Sequence, residues 1–244
     1  MLSVTEARER ILSHFQTTAT ESIPLIACAN RVLAIDIAAS HDLPLFDNSA
    51  MDGFAIRSED TSASRVTLKV VADIPAGTTP KVTLKAGEAA RIMTGAQVPA
   101  GANAVIPVED TDFHNRAAGT SAPEIISFER ILIPGENVRP RGMDIHTGEV
   151  VIKKGQALKP QDLGLLAMLG FANVEVYKKP RIALLSSGDE LLAVDAPLES
   201  GKIRDSNSYT LAASIESAGG EVIRLGVAKD TRESVEALFQ KAIK

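Results

Sequence analysis

Five short stretches hold acidic, hydroxyl, amide and basic side chains at spacings that could do chemistry. Pro44 to Ile56 reads PLFDNSAMDGFAI, a loop with two carboxylates (Asp47, Asp52), an amide, a serine and a glycine. Its plain reading is Asx-turn chemistry entering a strand, with Phe46, Met51 and Phe54 as core. Arg91 to Gly95 reads RIMTG. The hydroxyl and amides of Thr94 and Gly95, where a strand ends, could hold an oxyanion, as against an ordinary Thr-Gly turn. Pro134 to Asp144 reads PGENVRPRGMD, with Arg139 and Arg141 two apart and Asp144 three further on. Guanidinium forks match the oxygens of a phosphate or another tetrahedral oxyanion. Surface pairing of these arginines with nearby carboxylates is the competing reading. Leu185 to Leu191 reads LSSGDEL, directly after a strand. Open α/β sheets bind ligands beyond the carboxyl ends of their strands, which singles out Ser187, Asp189 and Glu190; the alternative is a hydrogen-bonded turn with Asp189 as a helix cap. Asp230 follows the next strand. With Glu233 it fits a capping box for the last helix, a role compatible with a site because a cap also lies at a strand's carboxyl end.

Other chemistries are disfavoured. The four histidines (14, 41, 114, 146) are scattered without metal-ligand spacing, and Cys28 is the only cysteine, so neither an intrachain disulfide nor a thiolate cluster can form. No G-x-G-x-x-G, P-loop or G-x-S-x-G occurs. With 26 basic and 31 acidic residues the net charge is −5, and no Arg/Lys run suggests a nucleic-acid surface. No segment reaches about 18 apolar residues and the N-terminus has no apolar stretch behind a basic start, so a cytoplasmic protein without a membrane span is expected.

The elements that must position these residues fall into three textures. Residues 3–16 read as a helix, with Ser3 and Glu6 as a capping box and Val4, Ala7, Ile11 and Phe15 along one face. Residues 22–38 suggest a strand and a helical turn. From 39 to 148, short alternating runs (Val66, Leu68, Val70; Val82, Leu84) between Gly and Pro turns predict a β-rich unit. Residues 149–178 read as a strand, a helix starting at Pro160 and a second strand. After Lys178-Lys179-Pro180, RIALLSS reads as a buried strand. Next come a helix capped by Asp205 or Ser206 that stops at Gly219-Gly220, a strand (EVIRLGV), and a helix with Val235, Leu238, Phe239 and Ile243 inward. That is the β-α-β-α grammar of a doubly wound parallel sheet. Two parallel strands bury little and leave an apolar edge, so the chain is expected to be cut off within its last α/β domain.

The five motifs DNSAMDGFA (47–55), RIMTGAQVPAGANAVIPVED (91–110), GENVRPRGMDI (135–145), SSGDEL (186–191) and IRDSNSYTL (203–211) together resemble the molybdopterin molybdenumtransferases, a family that includes the gephyrin E domain. Five motifs in family order over nearly the whole chain make the resemblance specific. It implies a multidomain α/β fold. A split helical and strand unit (1–38 with 149–178) carries an inserted β-rich lid domain (39–148), and an incomplete doubly wound α/β domain of the molybdopterin-binding type (179–244) follows. The family's later Ser-Gly-Gly-Val-Ser and Gly-Leu-Pro-Gly-Asn-Pro stretches and its β-barrel domain are not in this sequence.

The resemblance also implies an activity: molybdenum from molybdate is inserted into adenylylated molybdopterin and AMP is released, with a divalent cation, usually magnesium. Asp52, Thr94, Asp144, Glu190 and Asp230 would be catalytic, and Glu190 and Asp230 would hold the metal. Ser187, Arg139, Arg141, Asp205 and Asn207 would bind the pterin nucleotide and its anions. The lid of one subunit would face the α/β domain of its partner, so that Asp52 and Glu190 meet across a homodimer; the molybdopterin adenylyltransferase is a further candidate partner. A non-catalytic pterin-binding or scaffold protein of the gephyrin E-domain type, or an inactive fragment, stays open at this stage.

Overall fold

Gly and Pro cut residues 39–148 into short extended runs, and in the computed structural model these runs pair rather than coil. The structure describes residues 2–115, 117 and 119–243. The chain packs as two compact units, Ala38–Val151 and Met1–Ile37 with Ile152–Lys244.

Unit Ala38–Val151 is built on a five-stranded mixed sheet. Its order is Ala104–Pro107, Gly53–Ile56, Glu88–Ile92, Val66–Ile74, Ile125–Phe128. All pairings are antiparallel except Val66–Ile74 with Glu88–Ile92, where a bulge falls between Val70 and Ala72. Side chains alternate across a strand, so Phe54 and Ile56 enter one core with Leu68, Ile106, Ile126 and Phe128, while Ala55 enters another with Ile92 and Val105. Both faces are therefore covered, and Gly53–Ile56 is buried throughout. Gly53 is needed for that closeness: a Cβ there would lie 2.0 Å from the carbonyl oxygen of Ile106 on the next strand. Val82 and Leu84 flank a single bridge, Thr83 to Ala100, and do not form a strand.

The other unit has two parts. In the first, Thr20–Pro24 pairs antiparallel with Asn173–Tyr177 over a core containing Leu33, Leu158, Leu166, Val174 and Val176. Helix α1 (Val4–Leu12) carries the expected Ser3/Glu6 capping box, but its apolar face is not covered: Val4, Ile11 and the following Phe15 are exposed. Helix α2 (Pro160–Met168) has Pro160 at N1, and the Asp162 carboxylate accepts from the Lys159 amide at 2.8 Å.

In the second part, Arg181–Ser187 pairs in parallel with Glu221–Ala228, and helices α3 (Asn207–Ser217) and α4 (Arg232–Ala242) pack on the pair. This is the anticipated β-α-β-α order. Two expectations of burial fail. Only Leu184 of RIALLSS is buried, and Phe239 and Ile243 are exposed while Val235 and Leu238 are half-buried. Two strands and two helices have too little facing surface to enclose every apolar side chain. The cap of α4 also differs from expectation. Thr231 is the N-cap and accepts from the Ser234 amide, which releases Asp230 from capping.

Candidate functional site

Asp52 stands immediately before strand Gly53–Ile56, and Thr94 two residues beyond Glu88–Ile92. Gly53 pairs with Ile92 in the antiparallel register, which sets the two side chains together. One carboxylate oxygen, Oδ1 of Asp52, accepts from the Thr94 amide at 2.8 Å and from its hydroxyl at 2.7 Å. The turn is closed by the Gly95 amide donating to the Ser49 carbonyl at 2.8 Å, with Gly95 at φ +77°. The oxyanion gripped at Thr94 is thus the chain's own carboxylate. Thr94 acts on Asp52, where the sequence suggested an anion-binding turn. Phe54 is buried as expected, but Phe46 and Met51 are more than a third exposed.

The Arg-rich loop of the same unit is paired. Nη2 of Arg139 donates to Asp144 at 2.5 Å, and Nε of Arg141 donates to Asp42 at 2.6 Å. The Arg141 amide also donates to Asp47 at 2.7 Å. Asp42, which no motif flagged, takes two more bonds, from the Thr147 amide (2.8 Å) and hydroxyl (2.7 Å). Those Thr147 bonds, backbone first and hydroxyl second, with Arg141 third, hold the Asp42 carboxyl far below the usual carboxylate range.

In the other unit, Ser187 and Ala228 lie side by side where the two parallel strands end. The LSSGDEL turn begins there: the Gly188 amide donates to the Ala228 carbonyl at 3.2 Å and the Leu191 amide to the Gly188 carbonyl at 3.2 Å. A short strand, Leu191–Leu192, follows, so Asp189 caps no helix. Its amide instead donates to Oδ2 of Asp230 at 3.3 Å, and Lys202 donates to its carbonyl at 2.5 Å. Glu190 folds back over Gly188, where a Cβ would come within 2.5 Å of its carboxylate. A cavity of about 330 Å³ opens here, lined by Ser187, Glu190, Arg204, Asp205 and Asn207 among others.

Asp205 is buried, with 8% of its surface exposed. It accepts from the Ser186 hydroxyl at 3.1 Å and the Ser208 amide at 3.1 Å, and so caps α3 in place of Ser206. Hydrogen bonding from Ser208, its side chain first, lowers the Asp205 carboxyl against the opposing effect of burial, and Ser186 and Arg224 act in the same direction. Sequence reasoning missed Arg224. It stacks 4.2 Å from the Tyr209 ring centroid and donates to the Ser208 hydroxyl at 3.3 Å. Both line a second cavity of about 380 Å³ that also reaches Asp205. The available signal was one cation inside the apolar strand EVIRLGV, where an unpaired charge is costly.

The structure therefore joins Asp52 with Thr94, Arg139 with Asp144, and Ser187, Glu190, Asp205 and Asn207 around one cavity whose turn is tied to Asp230. Among the described residues no three His, Cys, Asp or Glu side chains cluster as a ready metal site. No helix among them is long and apolar enough to cross a membrane.

Residues 2–170 match the family described as the MoeA N-terminal region (domain I and II), and residues 183–244 match a probable molybdopterin binding domain. The chain belongs to the MoeA family. Molybdopterin molybdenumtransferase 2 of Mycobacterium tuberculosis (strain H37Rv) is 39% identical over 245 residues, covering 99% of this chain and 58% of that protein. The molybdopterin molybdenumtransferase of Nostoc is 40% identical over 229 residues, covering 92% of this chain and 50% of the relative. A crystal structure of a molybdopterin biosynthesis MoeA protein from Pyrococcus horikosii superposes with a TM-score of 0.79 at 36% identity, covering 100% of this chain and 61% of that one. The MoeA-family chain thus spans 50–58% of the length of these curated relatives. Its mixed α/β architecture is that of the MoeA fold.

Proposed function

We propose that this chain serves as a molybdopterin molybdenumtransferase in molybdenum cofactor biosynthesis, placing molybdenum from molybdate into adenylylated molybdopterin with release of AMP. The observation that carries the reading is the cavity at the carboxyl ends of the parallel strands. There a hydroxyl (Ser187), a carboxylate (Glu190) and an amide (Asn207) from two separate family motifs face one space of about 330 Å³, the position where open α/β sheets take nucleotides. Ser187 and Asn207 would hydrogen-bond the pterin nucleotide. Asp205, which also lines this cavity, would hold α3 and Asn207 in place and present its remaining acceptor capacity to the ligand.

Glu190 and Asp230 belong to the same turn system and are hard oxygen donors. Two carboxylates suit magnesium, which keeps several of its waters, so these residues would hold the ion. When bound, it would neutralise pyrophosphate charge and lower the pKa of a coordinated water. Asp52, aligned by Thr94, would serve as the acid–base carboxylate. Asp144, oriented by Arg139, would complete the acidic set, while Arg139 and Arg141 compensate substrate charge. We take the working form to be a cytoplasmic homodimer in which Asp52 of one subunit faces Glu190 of the other, with the molybdopterin adenylyltransferase as a candidate supplier. The domains would be 1–38 with 149–178, 39–148, and 179–244.

The test is release of AMP from adenylylated molybdopterin in the presence of molybdate and magnesium. Asp52→Ala and Glu190→Ala are each expected to lower turnover by about 10²-fold or more, the scale of general acid–base and electrostatic contributions. Unchanged AMP release in both variants would remove the assignment. Pterin binding without turnover in the unsubstituted protein would favour the scaffold reading.

A further inference from the structure

The loop 139–147 is seated on residues 42–47 by backbone hydrogen bonds and by bonds to two carboxylates, none of which needs the Arg141 guanidinium. The Gly142 amide donates to the Pro44 carbonyl at 3.0 Å, the Asp144 and Ile145 amides to the Leu43 carbonyl at 2.9 and 3.1 Å, and the Leu43 amide to the Ile145 carbonyl at 2.8 Å. Asp47 adds the bond to the Arg141 amide, and Thr147 anchors the far end on Oδ1 of Asp42. The remaining bond, from Nε of Arg141 to Oδ2 of Asp42, is surplus to holding the backbone. It has a different geometric effect. The Asp42 side chain is 16% exposed, whereas that of Arg141 is 65% exposed. A half-buried carboxylate therefore grips an exposed guanidinium by its Nε edge, and among the described residues Arg141 makes no other side-chain bond. Arg139, in contrast, spends its Nη2 on Asp144.

We infer that Asp42 is a positioning residue for Arg141: by holding Nε it presents Nη1 and Nη2 as a two-pronged donor toward solvent, shaped for a tetrahedral oxyanion. Bidentate guanidinium recognition gains specificity when the fork is pre-oriented, because less side-chain freedom is lost on binding. The oxyanion is either molybdate or a phosphoryl group of the pterin nucleotide. The inference rests on the assignment of Arg141 to substrate charge made above.

The test is equilibrium binding of sodium molybdate, and separately of inorganic phosphate, to the full chain and its variants. Asp42→Asn keeps an acceptor for Thr147 but turns an N–H toward Arg141 Nε. It is expected to weaken binding about tenfold in the unsubstituted background and to add nothing in the Arg141→Gln background, the signature of action through Arg141. Thr147→Val, which removes one loop anchor and leaves the Asp42–Arg141 pair, is expected to change affinity less than twofold. Should Asp42→Asn not fold, Arg141→Lys carries the test. A lysine held by Asp42 has no second prong, so the same tenfold loss is expected, and wild-type affinity overturns the inference. Equal losses from Asp42→Asn with and without Arg141 also overturn it, as does the absence of binding of either anion to the unsubstituted chain. Molybdate binding without phosphate binding assigns the fork to molybdate, and the reverse assigns it to the nucleotide. Coupled binding together with no AMP release would sink the proposed activity while leaving this inference standing.

Discussion

Replacing Gly53 by alanine is a severe test of how the five-stranded sheet positions Asp52. The added Cβ would lie 2.0 Å from the carbonyl oxygen of Ile106, 2.9 Å from its carbonyl carbon and 3.1 Å from Cα of Pro107, all backbone atoms of the neighbouring strand. Ordinary contact begins near 3.4 Å, so strand Ala104–Pro107 must retreat by 3.4 − 2.0 = 1.4 Å at its Gly53 end. That movement strains the pairs Gly53–Pro107 and Phe54–Ile106 and loosens the packing of Phe54 and Ile106, both fully buried. Overpacking costs about 1–3 kcal/mol and each of the two weakened ladder pairs about 1 kcal/mol, giving roughly 3–5 kcal/mol. Gly87→Ala is the matched control. Its φ is +76° and nothing lies within 4 Å of the new Cβ, so only backbone strain of about 1–2 kcal/mol applies. The chain has no tryptophan, and urea unfolding is best followed by far-ultraviolet circular dichroism. At an m-value of about 1–3 kcal/mol/M, Gly53→Ala should lower the midpoint by about 1 M or more, and clearly further than Gly87→Ala. Equal midpoints for the two variants would refute the argument that strand approach, rather than backbone conformation, requires glycine before Phe54.

Two further outcomes are expected. Thr231→Ala should destabilise α4 by about 1 kcal/mol through loss of its cap, while Asp230→Ala should stay within about 0.5 kcal/mol of the unsubstituted chain; thermal midpoints that rank the two the other way would restore Asp230 as the cap. The lowered carboxyl of Asp42 binds its proton less readily folded than unfolded. Its stabilisation is therefore complete above the unfolded value of about 3.9 and lost as pH falls below it toward the folded value. Asp205 follows the same sign. Asp42→Asn and Asp205→Asn should each flatten the acid limb of stability against pH, read as urea midpoints between about pH 2.5 and 6; an unchanged limb in both would contradict the hydrogen-bond origin of the shifts.

Local chemistry made much of this protein legible from its residues alone. The Ser3/Glu6 box, Pro160 at a helix start, the Gly219-Gly220 stop and the β-α-β-α order after Pro180 each depend on neighbours within a few positions, and they appear as read. The family was legible for the same reason, since motif spacing is a linear property. The structure decided what depends on contacts between distant segments. Thr94 spends both donors on Asp52, 42 residues away, because two strands pair in one register. Asp42 reaches Arg141 across 99 residues with no motif to announce it. Thr231 displaced Asp230 as the cap because the strand end turned Asp230 toward the Asp189 amide. Periodicity, likewise, locates an apolar face but not what lies against it, which is why Val4, Ile11 and Phe239 stand exposed on helices whose existence was evident. Propensity acts along the chain, whereas burial and hydrogen-bond partnership are settled only when remote segments occupy the same space.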